Sequence, residues 1–211
     1  MKTLRHKAPA YGQRGMTMLE VLITIVILAF GLLGIAGLQA RMQVAEIEAY
    51  QRAQAVVLLQ EMVDRINANR KNATSYVTPV TEPLGTDSTL DCSAPATVAA
   101  KDLCEWNDAL LGASEKKGGT DNIGAMIGAR GCVTNTVATM PREFLVSVVW
   151  QGLAPTVAPT STTTCGLGSY TPDTTRRAIV ARVQIGCLLT DITGTCCRTI
   201  NTTTNLCETF P

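Results

Sequence analysis

The residue best placed to do chemistry in this chain of 211 residues is Glu20, a carboxylate at the head of an apolar run. The run, Val21 to Leu38, is 18 residues long and carries no charge. With Met16 to Leu19 it approaches the roughly 20 residues that span a bilayer core. A charge in such a segment costs roughly 2.5–3.5 kcal/mol unless it finds a partner. Glu20 therefore needs a cation or a full shell of hydrogen bonds.

Eight cysteines form the second reactive set, and all of them follow the apolar run. They are Cys92, Cys104, Cys132, Cys165, Cys187, Cys196, Cys197 and Cys207. An even number beyond a membrane span favours disulfides in an oxidising compartment. Structural zinc sites usually contain paired C-x-x-C motifs, which the sequence lacks. The adjacent Cys196 and Cys197 would also be poor tetrahedral ligands. We therefore expect disulfides and no metal.

Spacing favours one cysteine pair over the others. Only 11 residues separate Cys92 from Cys104, and a short helix could bring the second back over the first. Closing such a loop is worth about 2–4 kcal/mol in the chain-entropy model. Cys165 with Cys187 is a second, weaker expectation. The remaining four cysteines stay unassigned: Cys132, Cys196, Cys197 and Cys207.

The sequence offers little support for catalysis or for nucleic-acid binding. The single histidine, His6, precedes the apolar run, and no G-x-S-x-G, H-E-x-x-H or phosphate-loop pattern occurs. Five acidic residues could in principle pair as acid and base, but they fit a solvated loop and helix face better. They are Asp87, Asp91, Asp102, Glu105 and Asp108. A formal charge of +1 and the lack of basic clusters interleaved with aromatics argue against nucleic-acid binding. We expect no catalytic residue and no cofactor.

The elements that would position these groups follow from periodicity. A helix is predicted to continue beyond Leu38 to an end within Asn67 to Asn72, with an apolar stripe that packs on a globular head. The stripe consists of Ala55, Leu58, Leu59, Met62 and Ile66. Three glycines within the apolar run suit close helix packing in a membrane. They are Gly31, Gly34 and Gly37.

The remainder is predicted to form a small head. A short helix is expected over Ala99 to Leu111, with Trp106 in the core. Period-two rows predict strands at Phe144 to Trp150 and Ile179 to Cys187. Shorter strands are expected at Ala129 to Asn135 and Arg198 to Thr204, and a threonine- and proline-rich loop at Pro155 to Thr164. The fold class is therefore α+β, a long helix packed on a small antiparallel sheet with stapled loops.

The junction Gly15-Met16-Thr17-Met18-Leu19-Glu20 resembles the class III signal of type IV pilins and pseudopilins. The resemblance implies that a prepilin peptidase cleaves after Gly15 and methylates Met16, and that Glu20 acts in assembly. The new amino group of Met16 would be the missing cation, since four residues are about one helical turn. A plain single-span anchor and a secretory signal peptide are the alternatives.

The resemblance also implies an organisation of the chain. Residues 1–15 would be the leader, 16–38 the transmembrane helix, 39–72 its amphipathic continuation and 73–211 a periplasmic head. Cleavage would remove four basic side chains and leave a side-chain charge of 14 minus 17, or −3. The mature protein would cross the inner membrane once and later enter a surface pilus.

Further stretches are similar to the family of minor pilins called type IV pilus modification protein. They are Ile25 to Gln39, Asp64-Arg65-Ile66 with Asn69-Arg70, Asp102-Leu103 with Trp106, and Val149-Trp150-Gln151-Gly152. This likeness implies a subunit that primes or caps the pilus and modulates adhesion or motility. Its partners would be other minor and major pilins, prepilin peptidase, the inner-membrane assembly platform and membrane lipid. A minor pseudopilin of a type II secretion system and a membrane-anchored extracytoplasmic binding protein remain alternatives.

Overall fold

The computed structural model describes residues 15, 17–86, 92–112, 116–117, 121–122, 126–138, 142–160, 163–187, 199–200 and 207–208. The chain divides into two compact units, Met1–Glu46 and Ile47–Pro211. One helix, α1, runs over Met18–Ala68. In the first unit every described side chain is exposed. By length and composition α1 is apolar enough to cross a membrane.

The second unit is built from short helices and antiparallel strands. The α-helix α2 spans Val98–Leu110, and 3₁₀ helices span Arg70–Tyr76 and Asp173–Thr175. The strands are β1 (Lys116–Lys117), β2 (Asp121–Asn122), β3 (Arg130–Val137), β4 (Arg142–Gln151), β5 (Arg176–Ile185), β6 (Thr199–Ile200) and β7 (Cys207–Glu208). The main sheet has the order β3-β4-β5, while β1 pairs with β2 and β6 with β7.

The main core lies between α1, α2 and one face of the sheet. Alternation along β4 turns Phe144, Val146 and Val148 to that face, where all three are fully buried. The apolar stripe of α1 packs there, as its periodicity predicts. Its contributions are Ala55, Met62 and Ile66, fully buried, and the partly buried Leu58 and Leu59. The second half of α1 is therefore part of the head's core.

The bulkiest side chain of this core requires a glycine opposite it. Trp106 of α2 is fully buried, and a Cβ at Gly131 of β3 would lie 2.3 Å from its ring. The edge of β3 is covered by the segment after the first 3₁₀ helix. Here Thr78 N donates to Val133 O at 2.9 Å, and Leu84 bridges Gly131. Trp106 is thus a core residue, as expected from the sequence.

The opposite face of the sheet carries a smaller apolar cluster. It contains Cys132, Val149, Cys165 and Tyr170, with Ala178 packed against it. The loop between β4 and β5 supplies two of these residues and so covers part of this face. The described residues of the predicted loop at 155–164 contain neither helix nor strand.

Candidate functional site

The described side chains of the amino-terminal junction are all exposed. Gly15 is exposed, and nothing lies within 4 Å of where a Cβ would stand. At the start of α1, Thr17 O accepts hydrogen bonds from Glu20 N at 3.0 Å and from Val21 N at 3.3 Å. Glu20 lies in the first turn, where a carboxylate is favourable, and its side chain is exposed. Met16 lies outside the described residues.

The cysteines pair only partly as the spacing predicts. Cys92 is bonded to Cys104, the pair favoured from the sequence. Cys165 is bonded to Cys132, so the weaker prediction of a Cys165–Cys187 pair is wrong. The register of β3 against β4 places Cys132 on the outer face of the sheet, where the β4–β5 loop brings Cys165 back over it. Cys187 is itself disulfide-bonded. Cys196 and Cys197 lie outside the described residues, and Cys207 is the first residue of β7.

A cluster of charged side chains around Arg65 fastens α1 to α2. Arg65 Nη2 donates to Glu61 Oε1 at 2.6 Å, while Nη1 donates to Asp102 Oδ1 at 2.7 Å and Glu105 Oε2 at 2.6 Å. The Arg65 side chain is only 22% exposed, so these bonds are partly shielded from water. Burial alone would lower the pKa of Arg65, but the three carboxylates raise it. We name the group Glu61, Arg65, Tyr76, Asp102 and Glu105 the Arg65 cluster.

Tyr76 completes the Arg65 cluster from the 3₁₀ helix. Its hydroxyl donates to Asp102 Oδ2 and accepts from Asn69 Nδ2 at 3.2 Å. The interpretation of Asp102 and Glu105 as a plain solvated face is therefore wrong in part. Asp102 is half-buried and bonded, Glu105 is bonded but exposed, and Asp108 is exposed. Asp87 and Asp91 lie outside the described residues. Asp102 and Glu105 thus both bind Arg65.

Two further bonds fix α2. Trp106 Nε1 donates to Leu58 O of α1 at 2.9 Å, and Asn107 Oδ1 accepts from Gly85 N at 2.8 Å. Thr97 caps the helix by accepting from Ala100 N. With the Cys92–Cys104 bond, α2 is therefore held by a disulfide, a charged cluster and partly buried hydrogen bonds.

Burial of two tyrosines predicts a measurable pH dependence. Burial, with the hydrogen bond to Asp102, raises the pKa of Tyr76 to about 12, and burial raises that of Tyr170 to about 12. Unfolded tyrosines ionise near pH 10. Between pH about 10 and about 12 the folded head therefore keeps protons that the unfolded chain has lost, so its stability falls as pH rises. An ultraviolet absorbance titration of Tyr76→Phe should lose one late-ionising tyrosine. A wild-type minus Tyr76→Phe difference centred near pH 10 would contradict this assignment.

A second ionic contact joins α1 to β5, beside the loop that follows β4. Arg177 Nη2 donates to Glu48 Oε1 at 3.2 Å and to Ala154 O at 2.8 Å. Glu48 Oε1 also accepts from Leu153 N at 3.1 Å. Gly152 leaves room for this arginine, since a Cβ there would lie 2.6 Å from the Arg177 guanidinium carbon. The Val149-Trp150-Gln151-Gly152 stretch therefore ends where the loop folds over Arg177.

The neighbouring Arg176 organises the loop on the sheet's other face. Its side chain is 2% exposed and donates to Asp173 Oδ1 at 2.7 Å and to the carbonyls of Thr163 at 2.8 Å and Cys165 at 3.1 Å. These bonds satisfy the buried charge. Hydrogen bonds from Arg176 also hold the pKa of the Asp173 carboxyl below its ordinary value.

Sequence reasoning did not find the roles of these three arginines. For Arg65 a signal was present, because Asp64-Arg65-Ile66 and Asp102-Leu103 with Trp106 are two of the stretches similar to minor pilins. Arg65 of the first stretch and Asp102 of the second are bonded to each other in the Arg65 cluster. No group of three or more candidate metal ligands occurs within the described part of the chain.

Comparison with protein families decides what this arrangement belongs to. Residues 11–36 match the prokaryotic N-terminal methylation motif, and residues 37–109 match the family of type IV pilin Tt1218. Together the two matches identify residues 11–109 as a type IV pilin region. The first match contains Gly15, Met16 and Glu20, and the second contains the Arg65 cluster and the Cys92–Cys104 bond. No curated protein and no solved structure matches the chain.

The fold agrees with these matches. A long amino-terminal helix packed on a small three-stranded antiparallel sheet, with disulfides, is an α+β pilin-like architecture. A pilin of this kind is a subunit of a pilus or pseudopilus, and the family is structural rather than enzymatic. The methylation motif implies processing by prepilin peptidase and assembly with other pilins. With the long apolar helix it indicates membrane anchoring.

Proposed function

We propose that this pilin is a minor subunit of a type IV pilus, one that primes or caps assembly and modulates adhesion or motility. The observation that carries the proposal is the convergence of the stretches similar to minor pilins. Arg65, from one stretch, donates to Asp102, from another, at 2.7 Å. Trp106 of α2 donates to Leu58 of α1, the helix that carries Arg65, at 2.9 Å. Two of the four similar stretches therefore meet in one packed part of the head.

The proposed pilin matures in the inner membrane. Residues 1–15 are the leader, 16–38 span the membrane, 39–72 continue the helix and 73–211 form the periplasmic head. Its partners are other minor and major pilins, prepilin peptidase and the assembly platform. A minor pseudopilin of a type II secretion system would use the same helix and the same processing. The match to a type IV pilin family supports the pilus alternative.

Processing is expected to occur between Gly15 and Met16. The intact mass of the membrane-extracted protein should correspond to residues 16–211 plus one methyl group. Gly15→Val should keep the leader, because a bulky residue replaces the glycine at the cleavage point. Since nothing lies within 4 Å of a Cβ at Gly15, retention of the leader would report on the peptidase and not on folding. A mature terminus after Ala36 or Ala40 would indicate an ordinary signal peptide instead.

Abundance in the fibre tests the minor role. Quantitative mass spectrometry of sheared pili should find this pilin at a small fraction of the major pilin. Its deletion should reduce the number of surface pili. A protein that dominates the sheared fibre would be a major pilin. A protein absent from pili but recovered with a secretion complex would be a pseudopilin.

A further inference from the structure

Two successive stretches of α1 are held to the head in different ways. We call residues 47–55 the entry segment and residues 58–66 the anchored segment, and both belong to the second unit. The anchored segment places five apolar side chains in or against the main core. They are Leu58, Leu59, Met62, Val63 and Ile66. In the entry segment Ala55 alone does so, and therefore this stretch gains much less from apolar burial.

The other buried residue of the entry segment is polar. Gln51 is 5% exposed, and its buried Oε1 accepts no hydrogen bond. It lies four residues before Ala55, on the same face of the helix. A buried acceptor without a donor loses its contact with water and gains no bond in return. Packing Gln51 against the head therefore weakens the attachment of the entry segment.

The polar links of the entry segment meet at a single atom. In the part of the chain that the structure describes, two hydrogen bonds join this segment to the rest of the head, and Glu48 Oε1 accepts both. The donors are Leu153 N at 3.1 Å and Arg177 Nη2 at 3.2 Å. Arg177 also donates to three oxygens of the β4–β5 loop. They belong to Ala154, Thr156 and Thr174. Loss of Glu48 would therefore leave Arg177 with partners, and the half-exposed Glu48 would return to water.

Separation of the anchored segment would instead leave polar groups unpaired. It would part Arg65 from Asp102 and Glu105. It would also take Leu58 O from the indole N–H of the fully buried Trp106. Unpaired charges and donors in shielded places are costly. The two segments therefore differ in what their release would cost.

We propose that the entry segment separates reversibly from the head while the anchored segment stays packed, and that the Glu48–Arg177 pair is the latch that controls this separation. Local opening is typical of stretches with few buried apolar contacts. In the open state Gln51 and Ala55 are accessible, whereas the core around Met62 persists. The latch would operate equally in a pilus or a pseudopilus subunit, so it does not depend on the proposed function.

Labelling of an introduced thiol measures the separation. Ala55 and Met62 are both fully buried, and no free cysteine occurs in the described part of the chain. In the full-length protein in detergent micelles, Ala55→Cys should react with iodoacetamide at least about tenfold faster than Met62→Cys, a factor that corresponds to about 1.4 kcal/mol. Rates in denaturant correct for intrinsic reactivity, and peptide mass spectrometry locates the label. Equal corrected rates would overturn the proposal, because the segments would then open together.

Glu48→Gln tests the latch, since it keeps the size of the side chain and removes the charge that binds Arg177. It should speed the labelling of Ala55→Cys about threefold, as expected for a half-exposed ion pair, and leave Met62→Cys unchanged. The control Glu46→Gln, at an exposed glutamate of the same helix, should change neither rate. Equal acceleration of both thiols, or no acceleration of Ala55→Cys, would contradict the latch.

A second pair of thiols covers the case in which a first variant does not accumulate. Gln51 and Ile66 are also buried, one in each segment, and Gln51→Cys with Ile66→Cys should show the same difference in rate. Equal rates for this pair would likewise refute the separation. Neither measurement involves assembly, so either result leaves the pilus assignment untouched.

Discussion

Glu20→Gln is expected to lower the amount of this pilin in sheared pili by at least about tenfold, while the head folds normally. The substitution keeps the size of the side chain and removes the charge that is proposed to pair with the amino group of Met16. An unpaired charge at membrane depth costs roughly 2.5–3.5 kcal/mol of insertion free energy. Every 1.4 kcal/mol changes an equilibrium constant by about a factor of ten. Immunoblots of sheared fibres against membrane fractions give the ratio.

The matched control for this experiment is Glu46→Gln. Glu46 is an exposed glutamate of the same helix beyond the apolar run. Its substitution therefore removes the same charge at a position outside the proposed membrane span. We expect wild-type incorporation for Glu46→Gln. Glu20→Gln found in pili at the level of Glu46→Gln would show that pairing with the amino terminus plays no part in assembly.

Arg65→Met is expected to destabilise the head by about 3 kcal/mol, the lower end for breaking a buried ion pair because the side chain is partly exposed. Methionine keeps the aliphatic length but leaves Glu61, Asp102 and Glu105 facing one another without their cation. These like charges then repel one another, while Asp102 keeps the bond from Tyr76. Denaturant unfolding, with the head followed by tryptophan fluorescence, measures the loss.

Arg182→Met is the matched control for Arg65→Met. Arg182 also pairs with a glutamate, Glu143, at 3.2 Å, but its side chain is 72% exposed. Such surface pairs are worth about 0–1 kcal/mol, so a small change is expected. Equal losses for the two variants would show that the Arg65 cluster behaves as an ordinary surface ion pair.

Much of the fold could be predicted because burial repeats with a local period. The helix predicted over Ala99 to Leu111 is observed at Val98–Leu110, and the long helix ends at Ala68, inside the range of 67–72 predicted for its end. The rows at Phe144 and Ile179 lie in β4 and β5 as predicted. Of the strand predicted over residues 198–204, the described part is Thr199–Ile200. These elements follow from the spacing of apolar residues alone.

The contacts between elements could not be predicted in the same way. Cys165 is 33 residues from Cys132, and their meeting depends on the β3–β4 register and on a loop shaped by Arg176. Arg65 and Glu48 are not members of the apolar stripe that the periodicity predicts. In the structure both are only half-exposed and bind the head, because a long charged side chain can lie along an apolar surface and reach a distant partner. Periodicity contains no information about such partners.

The separation of these contacts along the chain also sets the order in which α1 is covered during synthesis. Asp102 is synthesised 37 residues after its partner Arg65, whereas Arg177 is synthesised 129 residues after its partner Glu48. At about 5–20 residues per second, the second interval is about 6–26 s. The helix therefore gains its partners from its carboxyl-terminal end backwards, and the turn at Glu48 is the last to be secured. Until the strands of the sheet have been made, the part of the apolar stripe that packs on them lacks that cover.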